Sequence, residues 1–167
     1  FANDLNLFNQ LFYSHNFGHD GPLSFHGLGI NGKISELQAA MGLSVLPYMD
    51  YIISERKKVV AYYNAHLDFT KLEQLKLREN TDWNFSYYPA IFQSEEILLQ
   101  VQKQLNEKQI YPRRYFYPSL NTIPFSKGQD MPISENIASR ILCLPLYVGL
   151  SEQDLSSIVE LINKNLC

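Results

Sequence analysis

The chain has 167 residues, 46% of them hydrophobic and 19% charged, with a formal net charge of −3. That balance describes a globular chain able to bury a core and argues against both intrinsic disorder and nonspecific nucleic-acid binding, which needs clustered cations. Two cysteines are too few for a disulfide framework. No apolar run approaches the ~20 residues of a membrane-spanning helix, so no membrane partner is expected and the expected location is the cytoplasm.

Residues 3 to 14 place Leu5, Phe8, Leu11 and Phe12 on one helical face. Residues 16 to 32 are punctuated by glycine and predict a long loop, a rarity in compact domains unless it serves a site or orders on assembly. From Ile34 onward Leu37, Met41, Val45, Met49, Ile52, Val59, Val60 and Tyr63 recur at three- and four-residue steps. Pro47 has no N–H to donate and its ring displaces the carbonyl four residues back, so the pattern predicts two helices, 33 to 46 and 48 to 67. Ala39, Ala40 and Gly42 allow close approach of another backbone, within the chain or across an interface.

After Leu67 the periodicity changes. Residues 75 to 77 and 84 to 92 predict strands, and Ser94 with Glu95 and Glu96 predicts a capped helix with Ile97, Leu98, Val101 and Leu105 inward. Residues 110 to 115 predict a strand, 134 to 140 a short helix and 141 to 144 a last strand. Ser151 opens a final amphipathic helix through Leu155, Ile158, Val159 and Ile162. The order implies an α+β domain, a small antiparallel sheet with helices on one face, preceded by a long helical arm. The expected organisation is 1–32 as a loop-bearing region, 33–67 as the arm, kinked near Pro47, and 68–167 as the α+β domain.

Three groups of residues suggest chemistry. At 29 to 43 a glycine loop runs into a helix start, where free N–H groups and the macrodipole attract phosphate or carboxylate, and Asn31 and Lys33 add donors. A capped helix beside a solvated lysine accounts for the same residues. His15, His19 and His26 share the loop, but ligation by His15 and His19 at that spacing needs a helix, which Gly18 and Gly21 interrupt; no metal site is expected, and polar contacts to an anionic substrate suit these residues better. Arg113, Arg114, Tyr115, Phe116, Tyr117 and Asn121 combine charge for a diphosphate with ring faces for a sugar or base, although core aromatics and edge-strand charges fit as well. Nothing resembles a serine or cysteine nucleophile arrangement or a P-loop.

The segment Gly29-Ile30-Asn31-Gly32-Lys33-Ile34-Ser35-Glu36-Leu37-Gln38-Ala39-Ala40 resembles the G-x-N-x-[RK]-[MIN]-[ST]-E-x-x-A-A signature of the DegT-type nucleotide-sugar aminotransferases. His15-Asn16-Phe17-Gly18-His19 resembles the R-N-x-G loop of that family, and Arg56 with Tyr62-Tyr63 its R-(x)n-Y stretch. Residues 115 to 121 resemble its aromatic-then-P-L-H segment, and Leu144-Pro145-Leu146-Tyr147 with Leu150 to Asp154 its closing L-P-L-(x)n-L-[ST]-x-x-[DE] stretch.

The resemblance implies the small C-terminal domain of a fold-type I, aspartate-aminotransferase-like enzyme, with the large α/β cofactor domain absent. It implies pyridoxal 5'-phosphate as cofactor, with the lysine that bonds it upstream of this chain, and a homodimer whose active sites are shared across the interface. Asn31 and Lys33 are then the cofactor-phosphate contacts, and His19, Arg113, Tyr117 and Asn121 line the substrate pocket. Lys33 stands where the family often has arginine and offers a point charge in place of a fork. Asn121 stands where a histidine is common; it can bond a sugar hydroxyl but does not titrate near neutrality. The implied reaction moves an amino group from an amino acid, glutamate for preference, to a nucleotide-linked keto-6-deoxy sugar, and this fragment alone is expected to be inactive. The alternatives are a dehydratase of the same family running on pyridoxamine phosphate, or a non-catalytic dimerisation domain.

Overall fold

The computed structural model describes residues 3–22, 24–123 and 128–166. They fall into two compact units, Phe1–Met49 and Asp50–Cys167.

In the first unit, α1 (Leu5–Ser14) starts at Asp4, whose carboxylate accepts the Leu7 N–H at 2.7 Å. The loop that follows folds back on the end of this helix. Ile30 N–H donates to Ser14 O and Gly32 N–H to His15 O, each at 2.8 Å, and single antiparallel bridges join Asn16 to Asn31 and His19 to Phe25. The backbones meet so closely that a Cβ at Gly29 would overlap the Gly18 nitrogen, and Gly18 itself has φ +78°. Glycine is required at both positions. The next helix, α2 (Glu36–Val45), begins three residues later than the apolar spacing predicts. Ser35 takes the N-cap with an extended backbone, and its hydroxyl and Gln38 form a reciprocal capping box. Leu37, Met41 and Leu43 on α2 are exposed. Pro47 lies in a 3-10 turn, Leu46–Tyr48, so the break expected there is a tightened turn.

The second unit holds the core. Its elements are α3 (Met49–His66), β1 (Glu73–Gln74), β2 (Tyr88–Ile91), α4 (Glu95–Glu107), α5 (Pro132–Arg140), β3 (Ile141–Leu144) and α6 (Glu152–Lys164). The sheet is antiparallel in the order β1-β2-β3, with Ala90 opposite Leu142 and Tyr88 opposite Leu144. Those four side chains face α3, α4 and α6, meeting Tyr63, Leu98, Val101, Ile158 and Ile162 in one buried cluster. Burial of these apolar groups is the main driving force for the unit. Ser94 and Ser151 cap α4 and α6 as their positions before apolar runs predict.

The sheet is smaller than the sequence suggests. Residues 75 to 77 are not a strand; pairing falls on Glu73 and Gln74 instead. The strand predicted from residue 84 begins at Tyr88, because Phe85 has φ 51° and the Asn84 side chain accepts the Ser86 N–H, a local turn that competes with the ladder. Of residues 110 to 115 only Arg113 pairs, exchanging N–H···O bonds of 3.1 and 2.8 Å with Cys143. Pro112 cannot donate, and Tyr115 N–H turns back to Arg113 O, so the ladder stops there. Among the described residues no helix is long and apolar enough to cross a membrane.

Candidate functional site

The first unit ties its polar residues into the folded-back loop. Lys33 Nζ donates to Asn16 Oδ1 at 2.8 Å and lies 4.6 Å from the centroid of the Phe17 ring, a charge held by an amide and an aromatic face. Asn31, bridged to Asn16 by its backbone, is exposed, and its side-chain amide has no hydrogen-bond partner among the described residues. His19 donates its backbone N–H to Asn16 O at 3.1 Å and packs its ring 4.6 Å from Phe25, leaving Nδ1 buried without a hydrogen-bond partner among the described residues. The other loop histidines serve local packing: His26 stacks on Tyr13 at 4.4 Å, and His15 Nδ1 lies 3.2 Å from Leu11 O. Asn16, His19, Asn31 and Lys33 are thus brought together by the loop. At the start of α2 the capping box occupies the Ser35 and Gln38 N–H groups and Glu36 adds a negative charge, so this helix start offers an anion less than a bare helix dipole would.

In the second unit Arg113 and Arg114 point to different surroundings, as consecutive residues of an extended segment do. Arg113 is exposed, donates from Nη1 to the Tyr115 hydroxyl, and lines a cleft of about 720 Å³ together with Lys108, Tyr87 and Tyr147. Arg114 is turned inward. Its Nη2 donates to Glu95 Oε1 and to Ser139 O, both at 2.7 Å, and the guanidinium lies 3.5 Å from the centroid of the Tyr117 ring.

Asn121 lies in a 3-10 turn, Leu120–Thr122, at the edge of a separate cleft of about 500 Å³ that also includes Phe116 and Tyr115. Both ends of its amide are engaged: Oδ1 accepts from Ser119 Oγ at 2.7 Å, while Nδ2 donates to Glu135 Oε1 at 2.6 Å and to Gln129 O at 3.0 Å. The Met131 N–H and then the Asn121 amide hold the Glu135 carboxyl below its usual range. A sugar hydroxyl would have to share an amide already used to shape the loop.

Cys143 is buried on the sheet face away from the main core, and burial pushes its thiol upward, the opposite of an activated nucleophile. The sequence suggested Arg114 beside Arg113 as charge for a diphosphate, whereas the structure commits it to Glu95 and Ser139, and Glu135 was not singled out. Arg114 differs from Arg113 only by the parity of an extended strand, and its acceptors lie 19 and 25 residues away.

The comparisons with known proteins agree with this fold. The sequence model of the DegT/DnrJ/EryC1/StrS aminotransferase family matches residues 1–163. The dTDP-4-amino-4,6-dideoxy-D-glucose transaminase of Escherichia coli is 33% identical over 156 residues, covering 88% of this chain and 42% of the relative. The GDP-perosamine synthase of Escherichia coli O157:H7 is 28% identical over 141 residues, covering 82% and 38%. Among solved structures, a DegT DnrJ EryC1 StrS aminotransferase from Brucella abortus superposes with a TM-score of 0.86 at 24% identity over 98% of this chain and 44% of that one. DesI, crystallised in the presence of its TDP-sugar product, superposes with a TM-score of 0.85 at 26% identity over 99% and 44%. The chain spans less than half the length of these relatives. With the signature loop, the α+β unit and the family match in agreement, the chain belongs to the DegT/DnrJ/EryC1/StrS aminotransferase family.

Proposed function

We propose that this chain is the C-terminal part of a nucleotide-sugar aminotransferase that moves an amino group from an amino acid, glutamate for preference, to the keto carbon of a nucleotide-linked keto-6-deoxyhexose. The similar proteins named as sugar transaminases support the reaction class. The observation within the chain that carries the reading is Asn31, an exposed amide with no hydrogen-bond partner among the described residues, beside a Lys33 already bonded to Asn16.

That rim fits the phosphate of pyridoxal 5'-phosphate. Asn31 has a free N–H to donate to a phosphate oxygen, and Lys33 supplies a nearby positive charge without losing its bond to Asn16. The cofactor, when bound, supplies the electron sink that the amino-group chemistry requires. This chain's part is to bind and orient. Asn31 and Lys33 hold the anionic end of the cofactor, Arg113 offers charge to a diphosphate at its cleft, and the half-exposed ring of Tyr117 offers a face to a sugar or base. His19, on the same loop, remains a proposed substrate contact. We assign the lysine that bonds the cofactor to the remainder of the enzyme, together with the proton transfers it performs.

A homodimer accords with the exposed Leu37, Met41 and Leu43 of α2, and with the open space around Gly42, where another backbone can approach. Borohydride reduction of the full-length protein in the presence of pyridoxal 5'-phosphate, followed by peptide mass mapping, tests the reading. A phosphopyridoxyl group on a lysine outside residues 1–167 is expected. Absence of any labelled lysine would turn the assignment toward the dehydratase branch of the family.

A further inference from the structure

The guanidinium of Arg114 stands where three segments meet. Its edge bonds Glu95, in the first turn of α4, and the carbonyl of Ser139, near the end of α5, each at 2.7 Å. Its face lies 3.5 Å from the Tyr117 ring centroid. A planar guanidinium can hydrogen-bond in its plane and stack above it at the same time, which an ammonium cannot. The two acceptors therefore set the plane of the group, and the plane sets the Tyr117 ring. The Arg114 side chain is 14% exposed whereas Tyr117 is 49% exposed, so the cation is shut in and the ring it holds still faces outward.

We infer that Arg114 is a positioning residue for the nucleotide sugar: through its stack on Tyr117 it fixes the aromatic segment 115 to 117 as a platform for the sugar or base ring. Arg113, exposed at the neighbouring cleft, keeps its charge for the ligand. The division between an inward and an outward arginine explains why two adjacent cations are useful here. It rests on the nucleotide-sugar reading above.

The test uses the full-length holoenzyme with dTDP-4-keto-6-deoxyglucose and glutamate, comparing Arg114→Lys, Tyr117→Ala and the double variant. A desolvated cation–π stack corresponds to roughly 3- to 30-fold in how far the ring is held in place, which bounds what its loss can cost the ligand. Arg114→Lys is expected to raise KM for the keto sugar within that range, leaving KM for glutamate and kcat within about twofold. In the Tyr117→Ala background the same substitution has no further effect, because no ring is left to hold. Glu95→Gln, which keeps the guanidinium and the ring, is expected to raise the same KM less, and it serves if Arg114→Lys fails to fold. Equal effects of Arg114→Lys with and without the Tyr117 ring, or parallel changes in both KM values, would overturn the positioning role while leaving the reaction in place. A wild-type holoenzyme with no turnover of any nucleotide-linked keto sugar would overturn the functional reading and the positioning role with it.

Discussion

The Asn121 amide donates to the Glu135 carboxylate across 2.6 Å, and the same carboxylate oxygen receives the Met131 N–H at 2.8 Å. Two residues 14 positions apart thereby clamp the start of α5 to the turn after the aromatic segment. The clamp requires an ionised Glu135, since a carboxylate accepts both bonds and a protonated acid accepts them less well.

The pH dependence follows from this clamp. The folded chain holds the Glu135 pKa below its ordinary value of 4.5, through the Met131 N–H and then Asn121. Its contribution is present in full above the unfolded value and is lost as the pH falls through the folded value. Thermal unfolding measured from pH 7 down to pH 3 is expected to show a steeper acid limb for the wild type than for Glu135→Gln. Identical acid limbs would remove Glu135 from the account.

Asn31→Ala in the full-length enzyme is expected to weaken retention of pyridoxal 5'-phosphate by roughly tenfold or more, the scale of one hydrogen bond to a charged group. The far-ultraviolet circular dichroism should be unchanged, because the Asn31 side chain bonds nothing within the described chain. Equilibrium dialysis of the cofactor checks this, and an unaltered affinity would count against the assigned contact.

Gly29→Ala puts a methyl group into the backbone of Phe17 and Gly18. The loop has no flexible side chain there to give way, so a cost of about 1–3 kcal/mol is expected, borne by the local fold of the loop. Hydrogen exchange of the Ile30 and Gly32 amides, which close the loop onto α1, should speed up while the amides of β2 and β3 keep their protection. Unchanged loop protection would show that the backbones can part.

Ile158→Ala and Leu98→Ala each remove a side chain that is fully buried between α4, α6 and the sheet. Each is expected to cost about 2–5 kcal/mol, with the spread set by how far the site collapses. Urea unfolding of the second unit's signal checks the value, and a loss under 1 kcal/mol would mean that the core is looser than its burial implies.

Local signals carried over well where a single segment contains its own reason. Ser94 and Ser151 cap their helices because the hydroxyl reaches an N–H three residues on, a relationship visible in any linear reading. Ser35 does the same for α2, and the apolar stripe alone hid it by suggesting a start two residues before it. The strand errors have a different origin. Whether residues 75 to 77 or 73 to 74 pair depends on which backbone lies opposite Ala90 and Ile91, and 110 to 115 lost its ladder to Pro112 and to the return of the Tyr115 N–H.

The candidate site divides in the same way. The glycine loop, Asn31, Lys33 and the aromatic segment are legible as a pattern of residue types in a fixed order. Which of two adjacent arginines faces inward is not, nor is the commitment of Asn121 to Glu135. The family was legible through the resemblance of its signature segments, while the α+β class and the capped helices were determined by sequence because propensity, capping and apolar periodicity act over a few residues. Tertiary structure alone decided that Arg114 meets Glu95, Ser139 and Tyr117 while Arg113 stays exposed, because those partnerships depend on how chain segments up to 25 residues apart are brought together by the core.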